Sequence, residues 1–154
     1  MIKRLKVCAL SLSACGLVGI AGYEGFSDTA YIPVTRDVPT IGFGHADKRI
    51  PEGTKITVSD ALGLLEKDTA QAQAAVRRCV HVPLYQHEFD AYTSLAFNIG
   101  GSAFCSSTLV KKANAQDYEG ACSELKRWVY FKGIRMQGLA NRREAEYKVC
   151  MGER

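Results

Sequence analysis

What the sequence lacks narrows the field first. It has only 4 prolines in 154 residues, 47% of the chain is hydrophobic and the formal charge is a modest +4. Intrinsic disorder, collagen-like repeats and proline-rich architectures are thereby excluded. No run of five like charges marks a nucleic-acid-binding tail. None of the 6 cysteines has C-x-x-C spacing, and His87-Glu88 lacks the second histidine of a zinc-protease helix. Asp47 stands where a third glycine after Gly42-x-Gly44 would complete a dinucleotide fingerprint, and there is no G-x-S-x-G elbow. Neither a metal nor an organic cofactor is implied.

What is present suits one domain with a real core. Charge is unevenly placed. Residues 1–22 carry three bases and no acid, residues 23–110 seven bases and ten acids, and residues 111–154 ten bases and six acids. The basic end suits an anionic polymer or membrane surface, and equally a solvated helical face. At the N-terminus, Lys3, Arg4 and Lys6 precede 17 uncharged residues, Val7 to Tyr23. That is an export-signal pattern, placing the remainder outside the cytoplasm. Its length is at the lower edge of the roughly 17–25 residues that span a bilayer, and Ser11, Ser13, Gly16, Gly19 and Gly22 weaken its hold. Three fates fit the composition: cleavage after Ala21, lipidation of Cys15 in Leu12-Ser13-Ala14-Cys15, or retention as an anchor. Beyond the anchor, Cys79, Cys105, Cys122 and Cys150 form an even set, compatible with one or two disulfides in an oxidising compartment.

Periodicity predicts an α+β fold that is mostly α. Residues 32–56 are short and punctuated by Pro33, Pro39, Gly42, Gly44, Pro51 and Gly53, which reads as strands and turns. Thr57, with Asp60 three residues on, caps a helix whose face is Leu62, Leu65, Thr69, Ala72, Val76 and Cys79. Tyr85, Phe89, Tyr92, Ala96 and Ile99 mark a second helix, stopped at Gly100-Gly101, with shorter helices expected at 107–114, 117–129 and 138–150. A small sheet lobe and a larger helical lobe with a cleft between them are expected. Chemistry concentrates in Glu24, Asp28, Asp37 and Thr40. Glu24 directly follows the apolar segment, where partial desolvation suits a general acid, whereas Asp37 sits in a turn where a carboxylate stays solvated. Two carboxyls in contrasting settings are the logic of glycoside hydrolysis, although most acids in such a chain are surface charges.

Gly22-Tyr23-Glu24-Gly25-Phe26, then Tyr31 and Pro39-Thr40-Ile41-Gly42-Phe43-Gly44-His45, resemble the phage-type lysozymes of glycoside hydrolase family 24. Gln86-x-x-Phe89-Asp90-Ala91, Ala96-Phe97-Asn98-Ile99-Gly100, Ser107-Thr108-Leu109 and Gly138-Leu139-x-x-Arg142-Arg143 extend the similarity over about residues 22–150. The resemblance implies cleavage of peptidoglycan between N-acetylmuramic acid and N-acetylglucosamine, with Glu24, Asp37 and Thr40 catalytic. Pro33 occupies the family's usual aspartate position, and Asp37 is the replacement. Phe97 and Thr108 are implied as substrate-binding, and His45 with Asp68 as structural support. The chain also resembles the family's signal-anchor-release endolysins. That divides it into an anchor, residues 1–22, and a catalytic domain, residues 23–154. It implies a host inner-membrane tether through residues 7–22, a cytoplasmic N-terminus, and activity in the periplasm after release. It also favours retention over cleavage, since Glu24 needs a helix to hold it. A monomer without nucleic-acid partners is expected. A wall-binding module that does not hydrolyse is the alternative.

Overall fold

The computed structural model describes residues 3–33 and 38–153. The chain folds as two compact units, one of residues 17–70 and one combining the N-terminal 16 residues with everything from 71 onward. The chain passes between units inside two helices, α1 (Ala14–Glu24) and α2 (Val58–Cys79).

The smaller unit holds a three-stranded antiparallel sheet, β1 (Ser27–Tyr31), β2 (Thr40–Gly42) and β3 (His45–Ala46), in that order. Ser27 pairs with Gly42 and Tyr31 with Thr40, so the register slips between them, as a bulge would make it. On the free edge of β1, the Ala30 amide donates to the Thr54 carbonyl and that of Ile56 to Asp28. All three β2 residues are buried, together with Ala30, Ala61 and Leu65. Gly42 cannot be another residue for two reasons: its φ is +64°, and a Cβ there would lie 2.8 Å from the Cβ of Ala61. Thr57 starts α2 by accepting from the Asp60 amide at 3.1 Å.

The larger unit is helical: α3 (Gln86–Ile99), α4 (Gly101–Ser106), α5 (Thr108–Asn114), α6 (Tyr118–Glu124) and α7 (Gln137–Cys150). Gly100 ends α3, as expected, but Gly101 opens α4 instead of prolonging a loop. The helix expected to run to 129 stops at Glu124. A single 3-10 turn follows, then a hairpin of β4 (Tyr130–Phe131) and β5 (Ile134–Arg135). Val76, Leu84, Phe89, Tyr92, Leu95, Phe104, Leu109 and Leu125 fill the core. Disulfides Cys79–Cys105 and Cys122–Cys150 staple it, each closing a loop worth about 3 kcal/mol. Cys8 and Cys15 are free and exposed.

The expected continuous anchor helix is absent from this structure, and among the described residues no helix is long and apolar enough to cross a membrane. The apolar segment is broken in two. Val7–Ala9 form one 3-10 turn, and the α-helix begins only at Ala14. The break has a cause in side chains of the larger unit. Asp90 accepts from both the amide and the hydroxyl of Ser13, at 3.0 and 2.6 Å. Ser13 in turn accepts from the Gly16 amide and so caps α1, while Gln73 takes the Leu12 amide.

Candidate active site

Within the smaller unit, α1 ends at Glu24, and Gly25 leaves the helix at φ +71°. That reversal turns the chain straight into β1, so the last carboxyl of the helix borders the sheet. Glu24, Phe26, Ser27, Tyr31, Gly42 and Gly44 line a cavity of 320 Å³, within the range of ligand pockets. Glu24 is half-buried there. The two-residue loop between β2 and β3, Phe43-Gly44, brings Gly44 so close that a Cβ on it would sit 4.0 Å from Oε2 of Glu24. Phe26 and Phe43 pack with ring centroids 5.3 Å apart, and Phe26 and Tyr31 still expose large aromatic faces. Among the described residues the lining is thus an open, partly aromatic bay with one carboxyl, that of Glu24, in it.

Thr40 lies on β2, two residues before Gly42, and is only 6% exposed. Its hydroxyl donates to the Val38 carbonyl at 3.2 Å, which leaves the oxygen able to accept from a water. Asp37, the proposed second carboxyl, lies outside the described residues. His45 on β3 is held by Asp68 of α2, with Nδ1 at 2.9 and 3.0 Å from the two carboxylate oxygens. That contact ties the strand after the glycine loop to the long helix. Beyond β3, the Arg49 guanidinium and amide hold the Asp47 carboxyl down to about 2, so it stays ionised at the strand's end. Phe97 and Thr108 belong to the larger unit: Phe97 is half-buried against the core, and Thr108 is exposed at the start of α5.

Three carboxylates that sequence reasoning left without a role have defined ones in the structure. Glu88 pairs with Arg4, Asp90 caps the N-terminal arm, and Glu146 sits in a buried network. Glu146 accepts from Ser94 at 2.6 Å and Arg142 at 3.0 Å, and its other oxygen lies 2.9 Å from Arg143, which is fully buried. Arg143 also donates to Asn98 on α3 at 2.6 Å. The spacing Arg142-Arg143-x-x-Glu146 carried the signal, since i+3 and i+4 put both cations beside the acid.

The phage lysozyme family model matches residues 21–146. A SAR-endolysin of Escherichia phage Mu is 35% identical over 158 aligned residues, covering 96% of this chain and 91% of the relative. A SAR-endolysin of Enterobacteria phage P21 is 33% identical, covering 93% and 88%. Among solved structures, the endolysin of Escherichia coli O157:H7 phage FAHEc1 superposes with a TM-score of 0.84 at 35% identity, covering 92% of this chain and 94% of that one.

Proposed function

The chain belongs to the phage lysozyme family and is a peptidoglycan-cleaving glycoside hydrolase, and from that premise we propose how its residues work. Glu24 is the general acid that protonates the leaving glycosidic oxygen. Asp37 and Thr40 hold the attacking water on the opposite face, giving inversion, a geometry that needs carboxyls roughly 6.5–9.5 Å apart. The observation that carries this reading is the position of Glu24, half-buried in a bay of glycine backbone and aromatic rings. Thr40's free accepting capacity supports its role. Phe97 and Thr108 contact the saccharide or its peptide, and His45 with Asp68 fixes the loop that borders Glu24.

Regulation follows from the N-terminal segment, residues 1–22, in front of a catalytic domain, residues 23–154. Residues 7–22 first sit in the host inner membrane, with Lys3, Arg4 and Lys6 held on the cytoplasmic side by the membrane potential. Loss of potential frees the segment. It then becomes the structure seen here, a capped 11-residue helix whose last residue is Glu24. The names of the phage Mu and P21 relatives support this order of events. The enzyme then works as a monomer in the periplasm.

Turbidity loss of outer-membrane-permeabilised cells tests the chemistry. Glu24→Gln keeps shape and hydrogen bonding but removes the proton, and should lower lysis on the order of 10²-fold or more. Undiminished lysis by folded Glu24→Gln protein would remove Glu24 from the mechanism, and no lysis by wild-type protein would leave only wall binding.

A further inference from the structure

The N-terminal arm ahead of α1 is seated by one residue in particular. Arg4 donates through Nε and Nη2 to the two oxygens of Glu88, at 3.1 and 2.8 Å. Its guanidinium also lies 3.6 Å from the ring centre of Tyr118 and 4.2 Å from that of Tyr85. A planar cation between two aromatic faces and a carboxylate fork is a strong recognition geometry. Arg4 and Glu88 bind each other so firmly that the guanidinium is held above its ordinary range, chiefly by this hydrogen bond. The arm continues as a two-way backbone bridge, Leu5 with Leu84, and Val7 and Leu10 then enter the helical core.

The three groups that surround Arg4 are also held by contacts within the helical unit. Tyr85 and Glu88 open α3, where Glu88 also accepts from the Tyr85 amide at 2.7 Å and is thereby aimed. Tyr118 opens α6, and its hydroxyl donates to the Pro83 carbonyl. The surrounding cavity of 160 Å³ is also walled by the Cys122–Cys150 disulfide. With the arm seated Glu88 is 3% exposed, so losing the cation from the docked arm would leave a buried carboxylate beside two aromatic rings. A buried acid whose partner is withdrawn is strongly unfavourable.

We propose that Tyr85, Glu88 and Tyr118 form a guanidinium receptor, that Arg4 of the same chain is its ligand, and that the receptor is filled only after release. The last clause rests on the membrane-tethered state proposed above. In that state Arg4 lies on the cytoplasmic side of residues 7–22, a segment about 24 Å long as a helix, and the receptor lies on the other side. The same side chain therefore anchors the tethered form by its charge and latches the released form by its fork. Lysine would serve the first role but not the second.

Two variants leave the membrane segment and its charge intact, Arg4→Lys and Glu88→Gln. On purified full-length protein, cleavage by a lysine-specific protease after Lys6 reports undocking of the arm. Both variants should be cleaved on the order of 10-fold faster than wild type, and Arg4→Ala faster still. Propylguanidinium should raise the melting temperature of Arg4→Ala protein but not of protein that also carries Glu88→Gln. In cells, both Arg4→Lys and Glu88→Gln should yield a several-fold smaller soluble fraction after depolarisation. Wild-type cleavage in Arg4→Lys, or equal response to propylguanidinium with and without Glu88, would overturn the receptor. Faster-cleaved arms with an unchanged soluble fraction after depolarisation would overturn its regulatory role. Sacculus hydrolysis by soluble wild-type protein is scored separately, so loss of the muramidase reading would not be mistaken for loss of the latch.

Discussion

A Cβ on Gly16 would fall 2.9 Å from Cγ of Asp90, the carboxylate that holds Ser13, the cap of the helix Gly16 belongs to. Asp90 cannot swing away without releasing Ser13, so the glycine is a packing requirement of this fold. Gly19, one turn on, has no atom within 4 Å of such a Cβ. On sequence the two glycines look interchangeable, and leucine at either should favour the bilayer. In the structure they separate. Gly16→Ala should destabilise the soluble protein by about 1–3 kcal/mol through overpacking, whereas Gly19→Ala should be neutral or stabilising by up to about 1 kcal/mol. For the membrane-tethered state proposed above, Gly19→Leu is then the clean variant for holding the protein in the bilayer. Thermal melts of the two alanine variants decide the matter, and equal melting temperatures would contradict it.

That pair also shows how far sequence reading reached. Helix faces with steps of three and four, and the Thr57 cap, were legible because they depend on near neighbours. The Glu24 and Gly42–Gly44 neighbourhood was legible through the resemblance of residues 22–26 and 39–45 to the phage-type lysozymes, since a lone acid after an apolar run is by itself a weak mark. The break in the apolar segment was not. Asp90 and Gln73, which impose it on Ser13 and Leu12, lie 77 and 61 residues away. Nor did composition give Arg4 a partner other than the membrane surface, because Glu88 follows it by 84 residues. The hairpin at 130–135 was missed for a different reason: its strands are two residues each, too short for alternation to register.

The buried network on α7 should be costly to break on one side only. Glu146→Gln leaves the buried guanidinium of Arg143 without its carboxylate, and a loss of about 3–5 kcal/mol is expected. Changing Arg142, Arg143 and Glu146 together to methionine removes all three charges and should cost less than the single variant. Urea unfolding midpoints of the single and triple variants measure this, and a triple variant worse than the single would show that the network's charges are not the source.

The contact between His45 and Asp68 makes a smaller, local prediction. Both side chains are partly exposed, at 22% and 31%, so the hydrogen bond is worth about 1 kcal/mol. His45→Asn and Asp68→Asn should each lower the melting temperature by a few degrees, with non-additive effects in the double variant. If the pair fixes the Gly44 loop beside Glu24, kcat should fall modestly in both while substrate affinity holds. Additive shifts would mean that the two side chains act independently.

Glu124 is one contributor to acid stability. The Lys112 ammonium, hydrogen-bonded at 2.8 Å, holds its carboxyl below the ordinary range, and Arg127 at 3.1 Å assists. A folded-state pKa below the unfolded one means that the unfolded chain takes up the proton first as pH falls. The stabilisation is therefore complete above about pH 4.3, the ordinary glutamate value, and drains away as pH drops through the folded value. Pairs of this exposure contribute up to about 1 kcal/mol, or roughly 2–4 °C in a chain of this size. Glu124→Gln should accordingly melt lower than wild type at pH 7 and converge with it at the acid end of a pH series. A constant gap from pH 7 to pH 3 would assign the effect to packing of the side chain instead of its charge.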